Sequence, residues 1–342
     1  MNEKATVSVI IVNYNAVSHL RDCVNSVFNT QFESYEVIVV DNGSTDGSIE
    51  LLETLSKERE EFTFIKNEQN VGPAVGLNQA IKKAKGRYIA TLGNDTQVDS
   101  KWLQEAISIF ESDPKVGAIQ CKLIMMHTDS LIDCIGEYLG QYGFLVHRVE
   151  FGEIKDTGQF DYVTQIFAAK SAGMVVRRDV LDQIGGFDED YFIYLEETDL
   201  CWRIWLQGYK VLFAPLSVVY HDSATTSRIL PQKRSRYLVK FHGTKNYIQT
   251  LIKNLDVKNL LRILPIHIAL WVAMISVFSL RGRFYEAKCV FEGIIWNVKS
   301  CRKVLAKRKI VKSQRKVTDA ELFPTILRRK PLRYYVNKSR KW

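Results

Sequence analysis

Four places in the chain put acidic side chains or a histidine where an apolar stretch ends. They are Asp41 in VVDNGSTDGS, Asp95 in TLGNDT, the cluster of Glu196, Glu197 and Asp199 in YLEETDLCWR, and His221 after VLFAPLSVVY. A carboxylate is costly to bury and easy to hydrate, so it suits the binding of a divalent cation or a polar ligand. Turns favour Asp in any fold, so one such residue means little. Four such places in one segment predict a binding or catalytic site.

The segments around these residues alternate between apolar runs and amphipathic stretches. The continuous β-branched run Val7–Val12 and the apolar run Tyr35–Val40 predict strands that are buried on both faces of a parallel sheet. Further strands are predicted at Phe62–Lys66, Tyr88–Leu92 and Val116–Ile124. Helical spacing predicts helices between them, at Ser18–Asn29, Ile49–Arg59, Val75–Ala84 and Lys101–Glu111. The alternation, at about 25–30 residues per unit, predicts a doubly wound, mostly parallel α/β sheet flanked by helices. Ligands in such sheets bind beyond the carboxyl ends of the strands, where Asn13, Asp41 and Asp95 lie.

The pattern becomes irregular between residues 125 and 165, where Gly and aromatic residues predict an excursion or a hairpin. After it, we predict a strand at Met174–Arg177, a helix at Glu197–Gln207 that ends at Gly208, and a strand at Val211–Ala214. The α/β body then ends near residue 225. We therefore predict one domain over residues 1–228 and a helical, basic extension over residues 229–342.

Charge separates these two parts of the chain. The net charge is +9, of which residues 1–229 carry −13 and residues 230–342 carry +22. An acidic body with a basic tail predicts that the tail meets an anionic partner, either a phosphate-bearing membrane or a nucleic acid. The tail has no RNP-like or helix-turn-helix feature, which argues against nucleic acid as the partner.

The extension combines the basic helix Gln232–Leu251 and the Lys- and Arg-rich segment Lys299–Lys316 with helical stretches that carry Trp, Leu and Ile on one side, such as Phe284–Lys299. Such helices are typical of segments that lie in the headgroup layer, so we expect contact with an anionic membrane surface. The most apolar stretch, Ile263–Leu280, has 18 residues, which at ~1.5 Å each barely span the ~30 Å hydrocarbon layer. Basic residues flank it on both sides, so a spanning helix is the less favoured alternative.

The six cysteines are scattered, without a CxxC pair or a zinc-like spacing. We expect free thiols in a reducing cytoplasm rather than the surface disulfides of an exported protein. The first residues run directly into a strand, without a secretory hydrophobic region. Together with the basic tail, this predicts a cytoplasmic protein that associates peripherally with the inner face of the cell membrane.

Several spaced motifs follow one another over residues 6–225. VSVIIVNYNA and VIVVDNGSTDGS place Asn13 and Asp41 28 residues apart, and NVGPAVGLNQAI, TLGNDT and EETDLCWR come after them. Together they resemble the family-2 inverting nucleotide-sugar glycosyltransferases of the GT-A fold. The resemblance implies a UDP- or dTDP-linked sugar donor, with donor contacts from Val12, Asn13, Tyr14, Asn15, Asp41, Gly72, Asn78, Asn94 and Asp95. For Asn78 a purely structural role is equally open.

TLGNDT stands where that family carries its metal motif, although only Asp95 is acidic here. The resemblance implies that Asp95 and His221 hold Mg²⁺ or Mn²⁺ on the donor diphosphate. Mg²⁺ is usually bound by one or two carboxylates together with substrate phosphates, which fits so small a ligand set. A structural role for the histidine is the alternative.

EETDLCWR resembles the family motif that carries the catalytic base. The family has Asp where this chain has Glu197, and the resemblance implies that Glu197 takes the proton of the acceptor hydroxyl, with Glu196 as the alternative. Asp199 and Arg203 are four residues apart on a helix, so we expect them to form an ion pair that orients it. The resemblance also implies an acceptor side formed by Ser171, Ala172, Gly173, Glu196, Asp199 and Trp202, the last by stacking on a sugar ring.

The resemblance implies a metal-dependent inverting enzyme that moves a sugar to a lipid-linked or polysaccharide acceptor in cell-surface glycan synthesis. The Asn94-Asp95 pair and the basic tail favour rhamnosyltransferase-like members. Two other classes stay open, a non-catalytic nucleotide-binding scaffold that docks on membranes and a sugar-nucleotide pyrophosphorylase. The second needs a Gly-rich loop with Arg or Lys after the first strand, which NYNAVSHLRD lacks. The donor sugar, the acceptor and the oligomeric state are left open.

Overall fold

The computed structural model describes residues 6–223 and 231–341. Its strands are β1 Val7–Asn13, β2 Tyr35–Asp41, β3 Phe62–Lys66, β4 Tyr88–Gly93, β5 Thr96–Val98, β6 Val116–Met125, β7 Ile132–Cys134, β8 Glu137–Gly140, β9 Leu145–His147, β10 Thr164–Gln165, β11 Gly173–Arg177, β12 Lys210–His221 and β13 Leu327–Arg328. Ten of them form one sheet in the order β10-β12-β6-β11-β4-β1-β2-β3, with β5 paired to β12 and β7 paired to β6.

Strands β1 to β4 form the parallel half of this sheet, as their β-branched runs predict. β1 lies between β2 and β4, and β3 lies outside β2. The register places Asn13 opposite Asp41. These two site residues therefore end neighbouring strands at the same edge, and the doubly wound α/β prediction is confirmed here.

The other half of the sheet is mixed. β11 runs antiparallel to both β4 and β6, whereas β6 and β12 are parallel. β12 is longer than the predicted Val211–Ala214, because a bulge between Ala214 and Val218 absorbs the interruption at Pro215. Beyond the bulge, β12 also pairs with β5 and puts His221 opposite Thr96. This pairing brings His221 beside Asp95.

Helices pack on both faces of the sheet. Helices α1 Val17–Phe28, α2 Ser48–Glu58 and α4 Trp102–Ser112 share a core with one face of the strands. Helices α3 Pro73–Lys83, α5 Arg178–Ile184 and α6 Glu196–Leu206 share a core with the other face. The four helices predicted between residues 18 and 111 all occur, with ends within two residues of the prediction.

The excursion between residues 125 and 165 contains the hairpin β8–β9, as predicted. The short strand β13 from the C-terminal region adds to it, parallel to β8. Two distant parts of the chain thus share one small three-stranded sheet.

The C-terminal region is helical, as predicted. It contains α7 Gln232–Tyr237, a π-helical segment at Leu238–His242, α8 Gly243–Asn254, α9 Val257–Leu280, α10 Phe284–Lys299, α11 Cys301–Gln314, α12 Asp319–Ile326 and α13 Leu332–Lys341. Leu251, Leu255 and Ile263 join the same core as α6. The predicted boundary between residues 228 and 229 lies outside the described residues, so the division into two domains stays a prediction.

Helix α9 is the one helix in the described residues that is long and apolar enough to cross a membrane, with a mean hydropathy of 2.2. A core helix of a soluble protein can meet the same criteria of length and composition. Only 22% of its most apolar window is buried, however, so most of that window is open to the surroundings. All six cysteines are unpaired.

Candidate active site

The carboxyl ends of β2, β1 and β4 carry a hydrogen-bonded group of polar side chains. Asp41 is fully buried, and its Oδ2 accepts hydrogen bonds from Asn13 Nδ2 at 2.9 Å and from Ser44 Oγ at 2.7 Å. Its Oδ1 accepts from the backbone N–H of Ser44 at 2.8 Å. Asn13 Oδ1 accepts from Asn94 Nδ2 at 2.8 Å. The chain of bonds therefore fixes three strand ends relative to one another.

The turns after β1 and β2 are held together at the carboxyl edge of the sheet, and α3 packs closely beside them. Asn15 has a φ of +51°, and its Oδ1 accepts the backbone N–H of Thr45 at 2.8 Å, which ties the first turn to the second. Behind the strand end, a Cβ on Gly76 would lie only 3.1 Å from the Val12 side chain, so α3 packs closely there. Tyr14, which lies between Asn13 and Asn15 in the chain, is half-buried. The first five predicted donor residues therefore lie together.

Asp95 and His221 face each other at the ends of β4 and β12. His221 Nε2 lies 3.5 Å from Asp95 Oδ1, and His221 Nδ1 lies 2.5 Å from Oδ2 of Asp133. Asp133 is buried on β7 and also accepts from Ser223 Oγ at 2.6 Å. Burial alone would lower the pKa of His221, but the Asp133 and Asp95 carboxylates outweigh it and raise that pKa to about 9.

This arrangement fits a divalent cation. Because Asp133 holds Nδ1, the Nε2 of His221 and the Oδ1 of Asp95 point to the same space, and a carboxylate behind a ligating imidazole is the usual support. Adjacent octahedral ligands of Mg²⁺ at about 2.1 Å are about 3.0 Å apart, so the two atoms, now 3.5 Å apart, could both bind one ion after a small approach. Within the described residues, no group of three or more His, Cys, Asp or Glu side chains is arranged to hold a metal. The remaining ligands would come from the bound substrate or water, as is common for Mg²⁺.

Helix α6 begins with Glu196 and Glu197, whose buried carboxyl groups are incompletely paired. The Oε2 atom of each, together with Thr198 Oγ1 and Trp202 Nε1, is buried without a hydrogen-bond partner. Burial raises the pKa of Glu196 to about 7. Burial and the neighbouring charge of Glu196 raise the pKa of Glu197 well above its usual value. A carboxyl group with a raised pKa is suited to accept a proton near neutral pH.

Lys170 connects the histidine side of the site with these glutamates. Its Nζ lies 3.3 Å from Asp133 Oδ1, and its charge also acts on Glu137 and Glu197. Glu137 in turn lies 2.8 Å from the Nδ1 of His147. Lys170 therefore stands within one charged group that extends from the Asp95–His221 pair to the start of α6.

The predicted acceptor segment Ser171–Gly173 follows Lys170 directly. A Cβ on Gly93 would lie 3.8 Å from the Cβ of Ala172, so the segment runs beside the end of β4. Gly173 begins β11, and its carbonyl oxygen accepts from Gln120 Nε2 at 2.9 Å. The structure thus brings this segment next to the loop that carries Asp95.

The loop ahead of α6 has an unusual backbone. Phe192, Tyr194 and Leu195 have φ values of 60°, 68° and 67°. Residues with side chains pay about 1–3 kcal/mol each for such conformations, which cluster at functional sites. Asn246 of α8 holds the loop, since its Nδ2 lies 2.7 to 3.1 Å from three of the loop's carbonyl oxygens. The C-terminal region therefore stabilises the approach to Glu197.

Gly72 links the donor side to this loop. It has a φ of +86°, and a Cβ there would lie 2.7 Å from the ring of Phe192. Only glycine allows so close an approach. The structure therefore places the predicted donor loop against the loop that leads to Glu196 and Glu197.

Asp199 and Arg203 form the ion pair that their spacing predicts, at 2.9 Å. Lys253 of α8 joins them, with its Nζ 2.9 Å from Asp199 and 2.5 Å from Asp188. Burial would raise the pKa of Asp199, but Lys253 and Arg203 outweigh it and lower that pKa. Because its oxygens are engaged within the protein, Asp199 anchors α6, and an acceptor contact finds no support in this geometry.

Two predicted site residues have structural contacts instead. Asn78 donates from Nδ2 to the Phe187 carbonyl at 2.9 Å and accepts the Phe187 N–H at 3.0 Å, so its amide holds the 185–189 loop. Trp202 is 1% exposed and packs edge-to-face on Phe167 with ring centroids 5.1 Å apart. The expectation that Trp202 stacks on a sugar is wrong, because neither face of its ring is open.

Three charged residues of the site were not predicted from the sequence. Asp133 and Glu137 lie in SLIDCIGEYLG, and Lys170 lies in IFAAKSAG. Charged side chains are rarely buried unless they are paired. A charge inside each of these apolar runs is therefore a signal that could have located them.

The model of the glycosyl transferase family 2 matches residues 8–183, just over half of the chain. The poly-beta-1,6-N-acetyl-D-glucosamine synthase of Staphylococcus aureus is 24% identical to it over 277 residues. That match covers 81% of this chain and 63% of the synthase, so the chain spans less than two thirds of this relative.

Solved structures share the fold. Residues 1–349 of S. aureus TarS in complex with UDP-GlcNAc superpose with a TM-score of 0.58 at 14% identity, covering 90% of this chain and 88% of that one. A mannosyltransferase, PcManGT from Pyrobaculum calidifontis in complex with GDP-Man and Mn²⁺, gives 0.54 at 17% identity, covering 92% and 86%. At these identities the likeness shows the fold alone. With the family match, it establishes that this chain belongs to glycosyltransferase family 2 and is a glycosyltransferase of the GT-A fold.

Proposed function

We propose that this glycosyltransferase moves a sugar from a UDP- or dTDP-linked donor to a lipid-linked or polysaccharide acceptor, with inversion at the anomeric carbon. The supporting observation is the position of Lys170. Its Nζ lies 3.3 Å from Asp133, which holds His221 beside Asp95. Its charge also acts on Glu197, which has a buried oxygen without a hydrogen-bond partner. A base beside a cation site is what displacement of a diphosphate by a hydroxyl requires. The similar synthase makes a polysaccharide by its name, which supports a role in cell-surface glycan synthesis.

On the donor side, we propose that the nucleoside binds at Asp41 and the turn around Asn13. A carboxylate has about four acceptor positions, and Asp41 uses three of them within the protein. We propose that a base N–H or a ribose hydroxyl donates to the fourth once a small shift exposes this buried side chain. The two solved structures contain UDP-GlcNAc and GDP-Man, which supports a nucleotide-sugar donor. The Asn94-Asp95 pair favours a dTDP-linked deoxysugar, as in rhamnosyltransferase-like members.

We propose that Asp95 and His221 hold Mg²⁺ or Mn²⁺ on the donor diphosphate. Bound there, the cation would stabilise the negative charge that develops on the leaving group. The presence of Mn²⁺ in the structure of the mannosyltransferase supports this assignment. Asp133 would keep the His221 ring in the orientation that directs Nε2 to the cation.

Glu197 would take the proton of the acceptor hydroxyl as the hydroxyl oxygen attacks C1 of the donor sugar. A new bond forms between this oxygen and C1, while the bond between C1 and the diphosphate oxygen breaks. The nucleoside diphosphate leaves with the bonding electron pair, and the proton remains on Glu197. Attack opposite the leaving group inverts C1. The charge of Glu196 helps to raise the pKa of the base.

We further propose that the protein is cytoplasmic and binds the inner face of the cell membrane through its C-terminal region. Large apolar side chains are exposed along α9, α10 and α11, at Val257, Leu261, Ile266, Val272, Val277, Leu280, Phe284, Phe291, Val298, Leu305 and Ile310. Residues 230–342 also carry a net charge of +22. Apolar side chains beside Lys and Arg are typical of interfacial helices, and each cation near an anionic leaflet adds about 1 kcal/mol.

A panel of sugar donors tests the proposed function. The protein is incubated with Mn²⁺ and UDP-GlcNAc, dTDP-rhamnose or GDP-mannose, and released nucleoside diphosphate is measured by mass spectrometry. We expect release from a UDP- or dTDP-linked sugar and none from GDP-mannose. We also expect UDP or dTDP with Mn²⁺ to raise the Tm, because a ligand stabilises the state that it binds. A rise in Tm without turnover would favour the non-catalytic nucleotide-binding scaffold, and the absence of both would overturn the proposed function.

A further inference from the structure

A cavity lies between the β8–β9 hairpin and helices α8, α9 and α13, away from the donor side of the active site. Its volume is about 330 Å³. The walls are mostly hydrocarbon and aromatic, with Phe144 from the hairpin, Tyr247 from α8, Met274 and Phe278 from α9, and Tyr335 from α13. We call this space the apolar cavity.

Hydrogen bonds and ring contacts fix the walls of the apolar cavity. Trp271 Nε1 is a donor only, and it donates to His267 Nε2 at 2.9 Å. The imidazole is therefore neutral, and its Nδ1–H donates to the Tyr142 carbonyl at 2.8 Å. The ring of Phe144 lies 4.2 Å from His267 and 5.4 Å from Trp271, measured between ring centroids. The cavity is thus built before any ligand enters it.

The mouth of the apolar cavity is continuous with the surface proposed to meet the membrane. Val277 and Leu332 line the cavity and are 43% and 51% exposed. Leu280, which follows Val277 by three residues on α9, is 88% exposed. A hydrocarbon chain could therefore pass from a bilayer into the cavity without crossing a polar surface.

Two cations accompany this otherwise apolar lining. Arg281 lines the cavity, is exposed, and has no carboxylate partner among residues 6–223 and 231–341. Lys338 also lines it and donates from Nζ to the Leu145 carbonyl at 3.3 Å. Burial lowers the pKa of Lys338, and Lys170 adds to this, whereas Glu137 and Glu150 oppose it. A bound anion would favour the charged form of this lysine.

Lys338 lies against the β8–β9 hairpin, because its Nζ donates to the Leu145 carbonyl. Glu137 belongs to the same hairpin, where it is opposite His147 and pairs with it. An anionic group bound to Lys338 would therefore lie beside the hairpin that carries one of the charged residues of the site.

We propose that the apolar cavity binds the hydrocarbon chain of a lipid-phosphate acceptor, with Arg281 and Lys338 on the phosphate. The inference rests on the proposed function and selects the lipid-linked alternative for the acceptor. A cavity of about 330 Å³ is at the lower end of ligand sites, which are about 300–1,000 Å³. It therefore takes the part of the chain nearest the phosphate, and the rest stays in the membrane. A folded protein segment would not match so small a hydrocarbon lining that also contains two cations.

Farnesyl phosphate is a soluble probe for this site, and its binding to the full chain is measured by calorimetry. We expect saturable binding, with farnesol and inorganic phosphate each at least about tenfold weaker, because each supplies half of the contacts. Farnesol binding as tightly as farnesyl phosphate would overturn the role of the cations. Equal competition by a lysophosphatidic acid of similar chain length would assign the cavity to a membrane phospholipid and overturn the acceptor assignment.

Variants locate the binding. Met274→Trp fills the cavity and should weaken farnesyl phosphate about tenfold or more, whereas Val272→Trp, on the same helix but outside the cavity, should not. Lys338→Gln and Arg281→Gln should weaken farnesyl phosphate but not farnesol, and Arg262→Gln is the charge-matched control. Unchanged binding in Met274→Trp or in both charge variants would overturn the proposal. If Met274→Trp fails to fold, Ala273→Phe at the exposed wall replaces it.

The experiments can contradict the lipid site and the proposed function separately. The rise in Tm with UDP or dTDP and Mn²⁺ reports only on the donor side. A normal rise without farnesyl phosphate binding would overturn the lipid site and leave the proposed function standing. Binding of farnesyl phosphate together with a normal rise would support both.

Discussion

The donor side and the catalytic side of the site are built in opposite ways. On the donor side, Asp41 is fully buried and its carboxylate accepts three hydrogen bonds from within the protein. On the catalytic side, Glu196 and Glu197 bury oxygens without partners, and three residues just before them have positive φ. An unpartnered buried polar group costs about 1–3 kcal/mol. The donor side is complete before a ligand binds, whereas the catalytic side is held in an unfavourable state that a ligand would relieve.

This difference shows that the C-terminal region contributes structural support to the catalytic side as well as positive charge. Asn246 holds the carbonyls of the strained loop, and Lys253 lies between Asp188 and Asp199. Both residues belong to α8. The regular parallel half of the sheet needs no such support, because its strand ends are fixed by one another.

Among these variants, Glu197→Gln should have the largest effect, because it should lower transfer activity and leave nucleotide binding on the donor side unchanged. Loss of general base catalysis should lower transfer by about 10²–10⁴-fold, whereas UDP or dTDP with Mn²⁺ should still raise the Tm. Transfer is measured as nucleoside diphosphate release, with exposed Glu53→Gln as the matched control. Turnover at the parental rate would remove Glu197 from the role of base, and Glu196 would become the candidate.

Lys253→Met tests whether α8 stabilises the catalytic side. The change removes the cation that Asp188 and Asp199 share. Breaking a buried pair costs about 3–5 kcal/mol, and the cost here should be at or below this range because Arg203 still pairs with Asp199 and Lys307 with Asp188. We expect the urea unfolding midpoint to fall accordingly, whereas Lys258→Met on the exposed surface should leave it nearly unchanged. Equal midpoints for the two variants would show that the ion pairs with Lys253 do not contribute to stability.

Gly72→Ala tests the contact between the two sides. Gly72 has φ and ψ of 86° and 161°, and its added Cβ would meet the Phe192 ring. Gly47 has φ and ψ of 91° and 1° and nothing within 4 Å, so Gly47→Ala is a control for a side chain at positive φ that makes no steric contact. We expect Gly72→Ala to lose about 1–3 kcal/mol of unfolding free energy and part of the transfer activity, and Gly47→Ala to keep its activity. Equal activity in both variants would argue against coupling through Phe192.

Glu196→Gln should have the smallest effect, a shift in the pH dependence of transfer. Glu197 acts only when deprotonated, so activity falls as the pH drops through the pKa of the base. Burial raises that pKa first and the charge of Glu196 raises it further. Removing the charge should therefore move the acidic limb of kcat/KM to lower pH. A limb that stays in place or moves to higher pH would contradict the coupling.

The parallel half of the fold was predictable, because β1 to β4 are continuous β-branched runs separated by amphipathic helices. The antiparallel direction of β11 was not, because strand direction depends on pairing with β4 and β6 rather than on the residues of the strand. The full length of β12 was also hidden, since Pro215 interrupts the apolar run and the bulge that bypasses it is a tertiary feature.

The residues of the site also divide into those that could be predicted from the sequence and those that could not. Asn13, Asp41 and Asp95 could be placed together because they end neighbouring strands. Asp133 could not, because it is brought to His221 by the short strand β7 inside the irregular excursion. Trp202 was misjudged because helical spacing alone does not show which aromatic side chain packs into the core.

The pairing of β13 with β8 has a consequence for how the chain folds as it is made. Leu327 lies beside Leu139, so the small sheet of the excursion lacks its third strand until residue 328 has left the ribosome, nearly 190 residues after β8. Contacts between residues so far apart form late, because closing a long loop must precede them. The donor half can therefore fold during synthesis, whereas a chain that stops before β13 would expose the β8–β9 hairpin and leave the walls of the apolar cavity unassembled.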